Sequence, residues 1–207
     1  MPFSVARLAG RPPPHPCAIM GAEALDSAAR LFDITSMNMQ MAKIRRDKFT
    51  RCSIAETLRI AIRDYPFQEG EGKLMHCDFS HDFYFYGIEI YMTHIFINLF
   101  KNALSAIKAA NKGEVFVTFA ECNADSESRK KKFHKVIVKD TASGIPKDFM
   151  PKLFMPFASR DDGMGLGLAF CKTVMRAFDG NITCESQFGK YAEFVLWFPV
   201  GGIKSNE

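Results

Sequence analysis

His94-Ile-Phe-Ile-Asn98-Leu-Phe-Lys101-Asn102-Ala-Leu-Ser105 is the stretch on which the fold turns. Residues four apart share a helix face. His94, Asn98 and Asn102 therefore form one polar stripe, with Lys101 and Ser105 beside it. Ile95, Leu99, Ala103 and Ala106 form an apolar stripe suited to a core. Asn is a middling helix former that competes for backbone hydrogen bonds, so two carboxamides one turn apart on so apolar a helix are unusual. A carboxamide oxygen is also a hard, neutral ligand of the kind Mg²⁺ accepts beside phosphate oxygens. Taken alone, the segment fits equally well a buried helix whose solvent edge is polar.

Two later stretches shift the balance. Asp140-Thr-Ala142-Ser-Gly144-Ile145-Pro146 directly follows the alternating run His134–Lys139. Gly163-Met-Gly165-Leu166-Gly167-Leu168 directly precedes an apolar helical pattern, and Leu153-Phe-Met-Pro-Phe157 lies between the two. In order, type and spacing these stretches resemble the ATP-binding catalytic domain of bacterial sensor histidine kinases. That domain belongs to the Bergerat-type superfamily that also holds gyrase, a heat-shock chaperone and mismatch-repair proteins. The resemblance covers roughly residues 70 to 200. The Lys-Asn-Ala-Leu run and the Gly-rich helix start are similar to those of quorum-sensing hybrid kinases.

The resemblance implies ATP and Mg²⁺ as cofactors and assigns roles by position. Asp140 accepts a hydrogen bond from the adenine exocyclic amine, in a loop with Ala142, Gly144 and Ile145. A purine lacking that amine leaves the carboxylate unpaired, at a cost of ~1–3 kcal/mol or more. Gly163, Gly165, Leu166, Gly167 and Leu168 bring backbone and a helix amino terminus to the phosphates. Asn102 binds the metal, with Asn98 and Lys101 as its catalytic neighbours. Phe154 and Phe157 anchor a lid over residues 154–162 by packing on the domain body, and Arg160 in that lid is a phosphate contact. The sequence departs from the family at position 142, where Ala stands for the usual Gly. If that position needs a positive φ, Ala costs about 1 kcal/mol, and weaker nucleotide affinity is expected.

Asn98 separates kinase from hydrolase. The water-activating members of the superfamily carry Glu four residues before the metal-binding Asn, as general base. A carboxamide cannot take a proton. An imidazole acceptor is already neutral near pH 7 and needs little base help. The reading is a protein-histidine kinase domain that transfers the ATP γ-phosphoryl to a histidine outside this chain. The alternatives are a nucleotide-binding regulatory module without transfer and a superfamily hydrolase.

None of His15, His76, His81, His94 and His134 has the neighbours of a phosphoacceptor. The expected partners are therefore the dimerisation and phosphoacceptor helices of a homodimeric parent kinase, and a response regulator or receiver domain downstream.

Composition agrees with a packed domain. The chain has 207 residues, 47% of them hydrophobic, and a formal net charge of +4. Arg129-Lys-Lys-Lys132 is too short a basic run for a nucleic-acid footprint, and no nucleic-acid partner is expected. The cysteines at 17, 52, 77, 122, 171 and 184 show no CxxC and no metal-like spacing, which fits reduced thiols. No apolar run reaches the ~18–20 residues of a membrane span, and no signal peptide is evident. The expected location is cytoplasmic, as the cytosolic part of a membrane-anchored kinase.

The expected architecture is an α/β (α+β) two-layer sandwich. A mixed, mostly antiparallel sheet carries three main helices on one face, preceded by a helical segment. Residues 1–21 read as a tail, residues 22–66 as a helical remnant of the dimerisation hairpin with its linker, residues 67–202 as the ATP-binding domain and residues 203–207 as a tail. Within these, residues 22–50 read as a helix ending near Lys48, residues 74–79 and 83–86 as two strands joined at His81-Asp82, and residues 122–132 as a polar loop. Ser53 reads as an N-cap, residues 147–153 as a short helix and Gly113 as a left-handed cap.

Overall fold

Period-two alternation in the last third of the chain builds the sheet that everything else leans on. In the computed structural model, which describes residues 44–126, 129–159 and 164–200, Val136, Val138 and Asp140 are buried while Lys135, Ile137 and Lys139 between them are half-exposed. Successive side chains of a strand point to opposite faces, so these two sets line the core face and the open face. The described residues all fall within residues 40–207, one of two units into which the chain divides.

The strands are β1 (Thr50–Ser53), β2 (Met75–Cys77), β3 (Tyr84–Gly87), β4 (Val115–Ser126), β5 (Arg129–Asp140), β6 (Asn181–Gln187) and β7 (Tyr191–Pro199). The helices are α1 (Ile54–Asp64), α2 (Glu89–Ala110) and α3 (Gly167–Ala177). A five-stranded sheet runs in the order β2-β4-β5-β7-β6, and β1 pairs with β3 in a separate two-stranded sheet. Among the described strands only the β2–β4 pairing is parallel. The three helices lie on one face, as the two-layer reading requires. Val117 opposite Val138 and Val138 opposite Phe194 continue one apolar row across the sheet. Asp140, opposite Val115 and Ala192, ends the next row.

The helices bury what their spacing says they should. Met92, Ile95, Phe96, Leu99, Phe100, Ala103 and Leu104 of α2 are all buried. Ile54, Leu58 and Ala61 of α1 are fully buried, at i, i+4 and i+7. Ser53 caps α1 as the sequence predicts, its Oγ accepting the Glu56 N–H at 3.1 Å. Just ahead of β1, Phe49 meets Phe178 edge-on at 5.3 Å and Arg46 pairs with Asp179 at 2.6 Å.

Several expectations need correction. Residues 74–79 and 83–86 do not pair with each other: β2 joins β4 and β3 joins β1. Asp82 is no hairpin turn. Its carboxylate takes the Ser53 hydroxyl at 2.7 Å and the Ala55 N–H at 3.0 Å, so it caps α1. The polar stretch 122–132 largely continues β4 and β5, because backbone pairing there needs no apolar side chains. The left-handed cap of α2 is Asn111, with φ 50°, and not Gly113. Residues 147–153 yield only a 3₁₀ turn, Met150–Lys152. The helix expected over residues 22–50 lies outside the described residues up to residue 43. Beyond that point only a 3₁₀ turn, Arg46–Lys48, precedes β1. α1, assigned from sequence to the linker, packs against α2 in the core.

Candidate functional site

The polar stripe of α2 meets the start of α3. Tyr91 and His94 face Phe170 edge-on, with centroids 6.4 and 6.5 Å apart. One turn on, the Asn98 Nδ2 donates to the His94 carbonyl at 2.9 Å, and its Oδ1 lies against Gly167. A Cβ at Gly167 would sit 2.6 Å from that oxygen, so glycine is required by close approach. A further turn on, Asn102 and Lys101 are exposed. The structure thus splits the stripe: His94 and Asn98 face α3, and Asn102 is open to a ligand.

Gly165, just ahead of α3, has φ 66°, and a Cβ there would collide with the backbone of Ala158. Its carbonyl accepts the Phe157 N–H at 3.1 Å. Phe157 itself has φ 63° and is 73% exposed. It does not pack on the domain body, against the expectation. Held in the left-handed region by this bond, its backbone turns the ring outward. Phe154 does anchor, edge-on to Phe194 at 6.5 Å, and Leu153 beside it is buried. Leu166 and Leu168 are half-buried at the start of α3. Arg160 and Gly163 lie outside the described residues.

Asp140 ends β5 at 4% exposure. Burial pushes its carboxyl above the usual range, and the backbone N–H groups of Ala142 and Ala192 pull the other way. The Ala142 amide donates to Oδ1 at 3.1 Å. Ala142 is fully buried and is not among the described non-glycine residues with positive φ, which are Asn111, Phe157 and Asp179. The condition under which Ala would strain this loop is therefore not met. Gly144 has φ 62°, and a Cβ there would press on the carbonyls of Gln187 and Tyr191. Ile145 donates its N–H to Ser186 Oγ at 2.7 Å, and that hydroxyl donates to the Tyr191 carbonyl at 2.7 Å.

Sequence reasoning missed the residues that hold this loop. Ser186 is one. Thr141 is another, its Oγ1 accepting the Glu114 N–H at 3.0 Å. Lys112 reaches from the end of α2 to the Gly189 carbonyl at 3.2 Å. Cys184 lies in the same neighbourhood, its thiol pushed up to about 12 by burial and then by the Asp140 charge. Nothing in the local pattern marks these positions, since their partners are 27 to 77 residues away along the chain or on a neighbouring strand.

The cradles suit a phosphorylated ligand. Gly165 and Gly167 stand at the amino terminus of α3, where N–H groups and the helix dipole favour anions. Among the described residues no three His, Cys, Asp or Glu side chains converge on a metal position. A cation here would rest on the Asn102 carboxamide and on the ligand's own oxygens, the sparse protein ligation that Mg²⁺ accepts beside phosphates.

The family model for histidine kinase-, DNA gyrase B- and HSP90-like ATPases matches residues 87–202. The chain belongs to this ATPase family. Asp140, Asn102 and the α3 amino terminus all lie within the matched span of the ATPase domain. Among curated relatives, the CAI-1 autoinducer sensor kinase/phosphatase CqsS of Vibrio cholerae is 28% identical over 84% of this chain and 24% of its own length. The autoinducer 1 sensor kinase/phosphatase LuxN of Vibrio campbellii is 26% identical over 87% of this chain and 21% of its own. The sensor histidine kinase ZraS of Escherichia coli is 34% identical over 53% of this chain and 22% of its own. The chain spans about a quarter or less of the length of these relatives.

Solved structures share the fold. The catalytic domain of histidine kinase ThkA matches with a TM-score of 0.56 at 23% identity, over 73% of this chain and 97% of that one. Full-length ShkA in complex with AMPPNP matches with a TM-score of 0.62 at 20% identity, over 84% of this chain and 36% of that one. The ATPase domain here thus has the fold of these histidine-kinase domains. No helix among the described residues is long and apolar enough to cross a membrane.

Proposed function

We propose that this chain binds ATP between Asp140 and the amino terminus of α3 and transfers its γ-phosphoryl to a histidine on a separate dimerisation helix of a two-component sensor kinase. The observation that carries this reading is Asn98. The position one turn before Asn102 holds a carboxamide whose Nδ2 is bonded to the His94 carbonyl, so the site has no carboxylate there to activate water. A neutral imidazole needs no such base.

We assign the roles as the sequence motifs suggest. Asp140 selects adenine through its buried carboxylate. Gly165 and Gly167 let the α3 backbone approach the phosphates, with Lys101 and Arg160 as cationic contacts. Asn102 holds Mg²⁺, which supplies charge neutralisation on the phosphates when bound. What remains for the protein is to hold the nucleotide in line with the incoming imidazole.

The acceptor lies elsewhere. His94 is half-buried against Phe170, His134 is stacked on Phe83 at 4.5 Å, and His76 lies 3.3 Å from Glu114. None has the setting of an acceptor. Residues ahead of Arg46 carry the remnant of that hairpin and its link to the domain, and a response regulator or receiver domain takes the phosphoryl group onward. Autoinducer-sensing relatives support a place in quorum sensing, with the domain in the cytoplasm.

The test is to incubate the chain with γ-labelled ATP and a separately produced acceptor hairpin. Label on the hairpin histidine is expected. Binding of ADP without any transfer would replace the kinase reading by the regulatory one.

A further inference from the structure

The seam between α2 and α3 gives Asn98 a role other than touching substrate. We propose that Asn98 is a positioning residue: its carboxamide is the spacer that sets the distance between α2 and the first turn of α3, and so places the backbone at Gly165 and Gly167 relative to Asn102. This rests on the reading that α3 receives the nucleotide phosphates.

Both ends of the carboxamide are already committed. Nδ2 donates to the His94 carbonyl at 2.9 Å, one turn back on its own helix. Oδ1 faces Gly167 so closely that a Cβ there would stand 2.6 Å from it and 3.2 Å from Cγ. Asn98 is a short side chain, and the bond to His94 removes its freedom to swing aside. An added methyl at 167 has two ways out: it breaks that bond, or it moves the first turn of α3.

Neighbouring contacts make the second route consequential. Tyr91 and His94 meet Phe170 one turn further along α3, so the two helices are in register along the seam at positions 91, 94 and 98. A shift at Gly167 pivots about Phe170 and falls on the glycine-rich end. Gly167 therefore serves helix approach, unlike Gly165, whose left-handed φ of 66° is itself a requirement. Asn102, beyond the seam and exposed, is the residue left to reach the ligand.

The experiment measures ADP and adenosine binding by calorimetry on the whole chain. The variants are Gly167→Ala, Asn98→Ala, the double variant and Asn98→Gln, each melted thermally to establish that it folds. Gly167→Ala is expected to weaken ADP about tenfold, the scale of overpacking one methyl, while adenosine, which has no phosphate, keeps its affinity. Asn98→Gln, longer by one methylene, is expected to give the same signature with Gly167 intact. Asn98→Ala placed in the Gly167→Ala background is expected to recover most of the ADP affinity, because the spacer and the intruding methyl then no longer compete.

A double variant that loses at least the product of the two single losses overturns the proposal, since Asn98 then touches ligand directly. So does a Gly167→Ala chain that binds ADP like the parent, or one that loses ADP and adenosine equally. A parent chain that binds neither ligand overturns the nucleotide reading itself, and this proposal with it.

Discussion

The amide of Gly189 donates to the carbonyl of Ser143 at 2.6 Å, tying the loop after Asp140 to the turn between β6 and β7. Gly144, the next residue, has φ 62°, and a Cβ there would sit 2.7 Å from the Tyr191 carbonyl and nearer still to that of Gln187. Gly144→Ala combines a left-handed residue, about 1–2 kcal/mol, with overpacking of about 1–3 kcal/mol. A urea melt should show a loss of about 2–5 kcal/mol. An unchanged midpoint would mean that the loop and the turn are not joined as described.

Asp140 offers the base one buried carboxylate with one oxygen already taken by the Ala142 amide. Asp140→Asn should weaken ADP by about tenfold or more, since an amide presents a donor to the adenine amine and costs about 1–3 kcal/mol. Inosine diphosphate, which lacks the amine, should bind the parent chain more weakly than ADP. Equal affinity for the two nucleotides would remove Asp140 from base recognition.

The same carboxyl makes binding depend on pH. Burial raises its pKa in the folded chain. Between the unfolded and the folded value, the unfolded chain has lost the proton and the folded chain keeps it, so stability falls as pH rises through that window. A base amine favours the ionised form. ADP affinity should therefore climb as pH rises through the ordinary carboxylate range and level off once the raised pKa is passed. Asp140→Asn should flatten the curve. Calorimetry across that range decides it, and a parent curve as flat as the variant's would refute the link.

Asn102 is exposed one turn past the seam, and the other residues of its stripe face α3. Asn102→Ala should leave ADP binding without Mg²⁺ unchanged and abolish the gain that Mg²⁺ brings, with no change in melting temperature. If Mg²⁺ still strengthens binding in the variant, the metal rests on other groups.

Leu58 of α1 is fully buried although it lies outside the span that the family model matches. Leu58→Ala should cost about 2–5 kcal/mol, read from chemical denaturation. A cost under about 1 kcal/mol would show that α1 is an appendage to the core.

The α2 helix and the Ser53 cap were legible because their signals are local. The α2 stripe predicts a helix, and Glu89–Ala110 forms it; Ser53 caps α1 as read. Strand neighbours were not legible. Alternation in 74–79 and 83–86 says only that each can lie in a sheet, and register is set by partners far away in sequence. Thr50 opposite Gly87 and Met75 opposite Val115 are such pairings.

In the site, Gly144 was read as part of the base loop and Gly165 and Gly167 as bringing backbone to the phosphates. That is incomplete. Gly144, Gly165 and Gly167 each also press on protein, at Gln187, Ala158 and Asn98. The outward ring of Phe157 could not be foreseen, because a Phe with positive φ is an exception that only its bond to Gly165 explains.

The contacts of Phe49 with Phe178 and of Arg46 with Asp179 bear on where this ATPase unit can be cut. Sequence similarity to the family starts at residue 87. A fragment trimmed to that point would bare the buried ring of Phe178 and lose the β1–β3 sheet with it. It would also open the apolar face of α2 that Ile54, Leu58 and Ala61 of α1 help to shield. The smallest self-sufficient piece therefore begins ahead of Arg46, some forty residues before the recognisable motif, and a protease that trims the chain to the motif would leave a sticky remnant instead of an enzyme.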